Sequence, residues 1–203
     1  MLFKTTRRLF KGTYQYKIVL VCTGASLFRD CNMPETILSL QKIDITKKPG
    51  FIKSPQDLAY AIKLATELQG MTDFDLRVES PWITIYTNNK KNITALSKID
   101  QDKVKYICIP PTKNNLQANT IIMPKMDYDY RITMGKTTNE YSAFVGWAEG
   151  NKKLKLTKSC RSDLIKDRSW GGRHFYVTGD NNLLLTKMHL GGSIAKIERI
   201  IKQ

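Results

Sequence analysis

Apolar and polar positions alternate most clearly in two stretches, Tyr14-Gln15-Tyr16-Lys17-Ile18-Val19-Leu20-Val21-Cys22 and Tyr128-Asp129-Tyr130-Arg131-Ile132-Thr133-Met134, and both read Tyr-x-Tyr-basic-Ile. Side chains on a strand alternate between faces, so Tyr14, Tyr16, Ile18, Leu20 and Cys22 share one face, as do Tyr128, Tyr130, Ile132 and Met134. Each stretch is expected to be the first strand of a half-molecule, the earlier one running from about Thr13 to Thr23.

The pattern then weakens over 24–50, an expected insertion with a helical candidate at Pro34 to Ile43 and a turn at Lys47-Lys48-Pro49-Gly50. Ser54, Pro55 and Asp57 form a helix start: a capping hydroxyl, a proline at the first helical position and an acid at the capping-box place. That helix is predicted to run to Leu68, burying Leu58, Ala61, Ile62, Ala65 and Leu68, with Gly70 ending it. Asp73 to Glu79 alternates as a strand with one wet face, and Ser80-Pro81 turns the chain into a returning strand, Trp82 to Thr87. A helix from Asn92 to Ile99 and a strand from Lys103 to Ile109 follow, stopped by Pro110-Pro111.

The second half repeats the order. Thr137, with Glu140 three residues on, is expected to cap a helix that buries Phe144, Val145 and Trp147 and stops at Gly150. Lys152 to Leu156 reads as a strand, Ser159 to Lys166 as a helix, Trp170-Gly171-Gly172 as a turn and Arg173 to Thr178 as a strand. Asp180 or Asn182 caps a helix through Leu190, Gly191-Gly192 ends it, and Ile194 to Ile201 closes the half. The predicted fold is therefore α+β: two ferredoxin-like halves of βαββαβ type in tandem, on separate sheets or sharing one. The expected organisation is a basic N-terminal arm at 1–12, a first half at 13–110, a connection at 111–126 and a second half at 127–203. Spacing supports a duplication: Tyr16 to Tyr86 spans 70 positions and Tyr130 to Tyr176 spans 46, a difference close to the length of the insertion.

Charge changes the picture from fold to partner. The 203 residues carry 33 Lys and Arg against 18 Asp and Glu, a net charge of +15 that favours a polyanionic partner, DNA or RNA. Its distribution is uneven, since residues 54–100 hold five basic and six acidic side chains and residues 150–175 hold eight basic and two acidic. Lys152, Lys153, Lys155, Lys158, Arg161, Lys166, Arg168 and Arg173 thus concentrate around Trp170, and with Arg7 and Arg8 of the arm they are the expected phosphate contacts. The bland alternative is a solvated lysine face. Tyrosines on adjacent strands could stack unpaired bases, although residues in line with Ile18 and Leu20 more simply bury.

The element order resembles that of RNA-recognition domains in tandem, or of the repeat-associated RNA-binding proteins of bacterial immunity. The aromatic octamer of the former is absent from Trp82 to Thr87 and from Arg173 to Thr178, and no glycine-rich loop precedes the last strand, so no family follows.

Cys22, Cys31, Cys108 and Cys160 stand singly without a zinc-ligand spacing, which points to reduced thiols in a cytoplasmic, reducing compartment, that of a phage-infected host included. Neither a signal peptide nor a span of 18 apolar residues is present, so no membrane partner is expected. No cofactor is expected for a binding protein. Mg²⁺ enters only with a second reading, a metal-dependent nuclease using Asp75 and Asp129; a metal-free ribonuclease could use His174 as general base near Tyr176 and Lys187. A third reading is a structural or assembly component of a virus-like particle, in which the charge meets packaged nucleic acid, an acidic protein partner or further copies of the chain.

Overall fold

The computed structural model describes residues 2–45, 52, 54–111, 116–166 and 169–202. The chain divides into two compact units, Met1–Leu116 and Gln117–Gln203, and each builds its own five-stranded mixed sheet. A single shared sheet is therefore not formed: every strand pairing among the described residues stays within one half.

In the first half the strands are β1 (Phe3–Thr5), β2 (Tyr16–Val21), β3 (Phe74–Glu79), β4 (Trp82–Thr87) and β5 (Val104–Ile109), in the order β1-β5-β2-β4-β3. β1 runs parallel to β5 and the other neighbours are antiparallel. Helices α1 (Met33–Gln41), α2 (Pro55–Gln69) and α3 (Lys90–Ile99) bury apolar side chains with Ile18, Leu20, Ile83, Ile85 and Ile107 in one core. The α2 start forms as expected: Ser54 Oγ accepts from the Asp57 amide at 3.1 Å and donates to the Asp57 carboxylate at 2.9 Å. Its buried stripe also includes Tyr60 and Leu64, because the helix is covered by α1 on one flank and α3 on another. The expected insertion is part of the core, since Phe28, Met33 and Leu40 are buried in it, while its Lys47-Lys48-Pro49-Gly50 turn lies outside the described residues.

In the second half β6 (Thr120–Ile122), β7 (Tyr130–Met134), β8 (Leu154–Leu156), β9 (His174–Val177) and β10 (Ile194–Ile201) take the order β6-β10-β7-β9-β8. The arrangement repeats that of the first half position for position, down to an added first strand lying parallel to the last. Helices α4 (Ser142–Gly150), α5 (Lys158–Leu164) and α6 (Asp180–Leu190) cover one face, with Phe144, Phe175, Ile132 and Leu164 buried between.

Both stretches outside the expected halves hold a short strand: Thr120–Ile122 of the connection adds to the sheet edge beside β10, and Phe3–Thr5 of the N-terminal segment pair with Ile107–Ile109. One expected cap changes. Thr137 does not cap α4, which begins five residues later at Ser142; its hydroxyl instead bonds the backbone of Asn139, and its backbone pairs with Ser169.

Candidate nucleic-acid interface

The face of each sheet away from its helices carries a tyrosine flanked by charged residues. Alternation along β7, β8 and β9 turns Ile132, Phe175 and Val177 into the core and Arg131, Lys155, His174 and Tyr176 to the other face. Register places Tyr176 between Arg131 and Lys155. In the first half Tyr86 sits between Lys17 and Asp75 in the same way.

The shared strand motif accounts for the rest of that face. Tyr16 and Tyr130 pack against the two cores, as alternation requires. Tyr14 and Tyr128 do not share their face, because the strands begin at Tyr16 and Tyr130 and the residues before them fold back across the other side. There Tyr14 stacks on Tyr86 at 6.4 Å between ring centroids, and Tyr128 meets Tyr176 at 5.8 Å. Both underlying tyrosines are consequently buried, so the aromatic platform is covered by the chain itself.

The cations of the 152–173 patch sort into two sets. Arg161 is bonded to Glu149, and Asp163 holds both Arg173 at 3.3 Å and Lys166 at 3.7 Å. Lys152, Lys153, Lys155 and Lys158 are exposed and have no acidic partner among the described residues. They sit along the edge strand β8, in the turn before it and at the first position of α5, where Asn151 Oδ1 takes the Lys153 amide at 2.9 Å and Thr157 caps α5 through the Cys160 amide at 3.2 Å. Arg7 and Arg8 follow β1 and are exposed, and Arg168 lies outside the described residues.

Trp170 is 84 % exposed on a loop whose geometry is fixed from below. Ser169 and Thr137 exchange backbone hydrogen bonds at 2.9 and 3.3 Å, and the Gly172 amide donates to the Met134 carbonyl at 2.7 Å. Gly171 has φ +77° and lies so close to Gly135 that a Cβ there would stand 2.5 Å from its carbonyl carbon, so only glycine fits. Lys136, Thr137, Thr138, Asn139, Ser169 and Ser193 surround the indole and enclose about 410 Å³ with it. The Lys136 ammonium lies 5.9 Å from the ring centroid. Of this set only Trp170 was expected from the sequence; Lys136 and Asn139 are 31 or more positions from it in the chain, and the Gly135–Gly171 contact that joins them leaves no local signature. A second cationic surface that composition hid is the α3 groove of about 430 Å³ lined by Lys90, Lys91, Thr94, Ala95 and Lys98, where the i, i+4, i+8 spacing is the signal.

The candidate catalytic residues are engaged in the fold. Asp75 pairs with Lys11 at 2.6 Å in the first half. Asp129, in the second, accepts from the Gly179 amide at 2.9 Å and from Lys202 at 3.0 Å, and these bonds hold its carboxyl below the usual range. Among the described residues no group of three or more His, Cys, Asp or Glu side chains could hold a metal ion. His174 touches Tyr176 edge-on at 5.6 Å; burial, and then Arg131, hold its imidazole below the ordinary value. Lys187 belongs to α6, which packs against the opposite face of the sheet. Arg131 itself meets the fully buried Glu198 at 3.5 Å, with Lys196 on the same carboxylate at 2.8 Å.

Burial raises the thiols of Cys22, to about 11, and Cys160, to about 12, so neither is a poised nucleophile. Among the described residues no helix is long and apolar enough to cross a membrane. Compared with known proteins, the chain matches no family model, no curated protein and no solved structure.

Proposed function

We propose that this chain is a nucleic-acid-binding protein that contacts mainly phosphates, and that the β8 edge of its second half is the principal contact surface. One observation carries the reading: Lys152, Lys153, Lys155 and Lys158 cluster on and beside the β8 edge with no acidic partner among the described residues, whereas Arg161, Lys166 and Arg173 of the same patch are paired with Glu149 and Asp163. Four unpaired ammonium groups on one edge repel each other unless an anion is near, and a phosphate backbone supplies anions at a repeating interval. The carboxylates that a metal nuclease would draw on are divided between the halves and each is held by a lysine, so binding is better supported than cleavage. The same comparison supports a finer reading of the fold. Leaving the added strand aside, each sheet order is that of a ferredoxin-like βαββαβ unit, and the repeated Tyr–cation–Tyr arrangement favours a tandem duplication.

The test is a fluorescence titration of labelled single-stranded RNA, single-stranded DNA and duplex DNA at several salt concentrations. The expected result is binding whose logarithm falls linearly with log salt, at about 0.7–0.9 per phosphate neutralised. Absence of binding to all three overturns the reading.

A further inference from the structure

We propose that the pocket at Trp170 takes one unstacked nucleobase, which makes the second half a reader of single strands; this rests on the nucleic-acid reading above and goes beyond its phosphate contacts. The argument begins with the indole. A tryptophan that is 84 % exposed has given up most of the burial its ring could contribute, and here the loop that presents it is held on both sides by backbone hydrogen bonds and by a glycine that no other residue could replace. The fold thus fixes an apolar face in water instead of letting it collapse onto the sheet.

What surrounds that face is matched to a base. The floor is closed: Thr137 and Ser169 are buried and their hydroxyls are used internally, Thr137 on Asn139 and Ser169 on Asp163 at 3.2 Å. The rim is open: the Asn139 amide and the Thr138 hydroxyl are exposed and have no side-chain hydrogen bond among the described residues. An amide offers both a donor and an acceptor to the edge of a stacked base, and the Lys136 ammonium beside the ring can reach the attached phosphate. The volume of about 410 Å³ lies within the range of small-ligand pockets, and a π-face, a polar rim and a cation together describe a nucleotide more closely than a purely apolar ligand. A base inside a duplex cannot reach the indole, because both its faces are already stacked.

The experiment measures polarisation of a labelled single-stranded RNA and of the same sequence as a duplex, for wild type, Trp170→Ala, Trp170→Phe and Lys152→Glu/Lys153→Glu. The proposal expects Trp170→Ala to weaken single-strand binding by about tenfold or more, Trp170→Phe to retain most of it, and duplex binding to be unchanged in both. Because the indole is exposed, none of these effects passes through folding; circular dichroism of Trp170→Ala should match wild type. If Trp170→Ala leaves single-strand affinity unchanged while the lysine variant lowers it, the pocket is wrong and the phosphate reading stands. An equal loss for single strand and duplex also overturns the pocket. Failure of every form to bind removes both readings together.

Discussion

At one register position each half holds a cation, a lysine in the first and an arginine in the second, and holds it in a different way. Lys17 and Arg131 each lie beside the tyrosine of the neighbouring strand, Tyr86 and Tyr176. Lys17 is held by rings and a phenol: Tyr106 Oη accepts from it at 3.1 Å, and Phe10 lies 4.8 Å away. Arg131 is held by a carboxylate with no exposure to water. One strand further out the contrast reverses sign. Asp75 in the first half, paired with Lys11, stands where the second half has Lys155, which has no acidic partner among the described residues. A shared backbone thus leaves the charge of its edges free to differ, and the first half neutralises its edge where the second leaves it cationic.

Substitutions at these positions test the contrast. The largest effect is expected at Arg131→Met, which takes one of two cations from the buried Glu198 and, with Lys196 still on the carboxylate, should cost about 2–3 kcal/mol in denaturant unfolding. Lys17→Met removes cation–π contacts with Phe10 and Tyr106 and one hydrogen bond, all at a partly exposed site, and should cost about 1 kcal/mol. Equal costs would show that the two cations play one role. Next comes binding: Lys153→Glu with Lys158→Glu should reduce RNA affinity at low salt by at least about tenfold and flatten the log–log salt slope by about 1.4–1.8. Asp75→Lys, which gives the first half the charge found at Lys155, should raise affinity by a smaller factor; a fall instead would mean that the Lys11 ion pair orders a contact surface of its own.

A smaller effect is replacement of the α2 cap. Ser54→Ala should cost about 1 kcal/mol, read from thermal or denaturant unfolding. α4, whose first residue follows Tyr141 with no side-chain cap, offers no equivalent loss at Thr137.

The smallest effect is the pH dependence, and it also separates the halves. Burial and Arg131 depress His174 below its ordinary 6.5, so the unfolded chain takes up this proton first. Its contribution is complete above 6.5 and is lost as pH falls through the depressed folded value. Asp57 is depressed below 3.8 by its bonds from Lys103 and Ser54, so its contribution is present above 3.8 and lost only on further acidification. Hydrogen exchange near β9 should therefore rise at milder acidity than exchange near α2, and His174→Gln should remove the difference in that interval.

Most of this fold is legible in the sequence because its strands alternate and its turns carry their own chemistry. Trp82 to Thr87 and Ile194 to Ile201 were bounded by Ser80-Pro81 and Gly191-Gly192, and the cap at Ser54 needed only Asp57. β1 and β6 are three residues each, too short for a period, and their order comes from a partner about 100 or 80 positions away. Tyr14 and Tyr128 mislead for a related reason, since alternation does not say where a strand starts. The cationic edge was visible as composition, yet which of its members are neutralised depended on Glu149 and Asp163, placed by the fold. The Trp170 pocket was legible only as an exposed-looking aromatic beside two glycines.

The parallel strands β1 and β6 also bear on how the molecule is made. A ribosome releases the chain in one direction, and Phe3–Thr5 must wait without a partner until Ile107–Ile109 have emerged. Thr120–Ile122 must wait in turn for Arg199–Ile201. Each half is thus sealed by joining its earliest strand to its latest, a closure over a long loop that is slow compared with forming the hairpins inside it. Neither half can finish its sheet during its own synthesis, so nascent chains halted before Ile109 or before Ile201 should keep an unsealed edge that proteases find first.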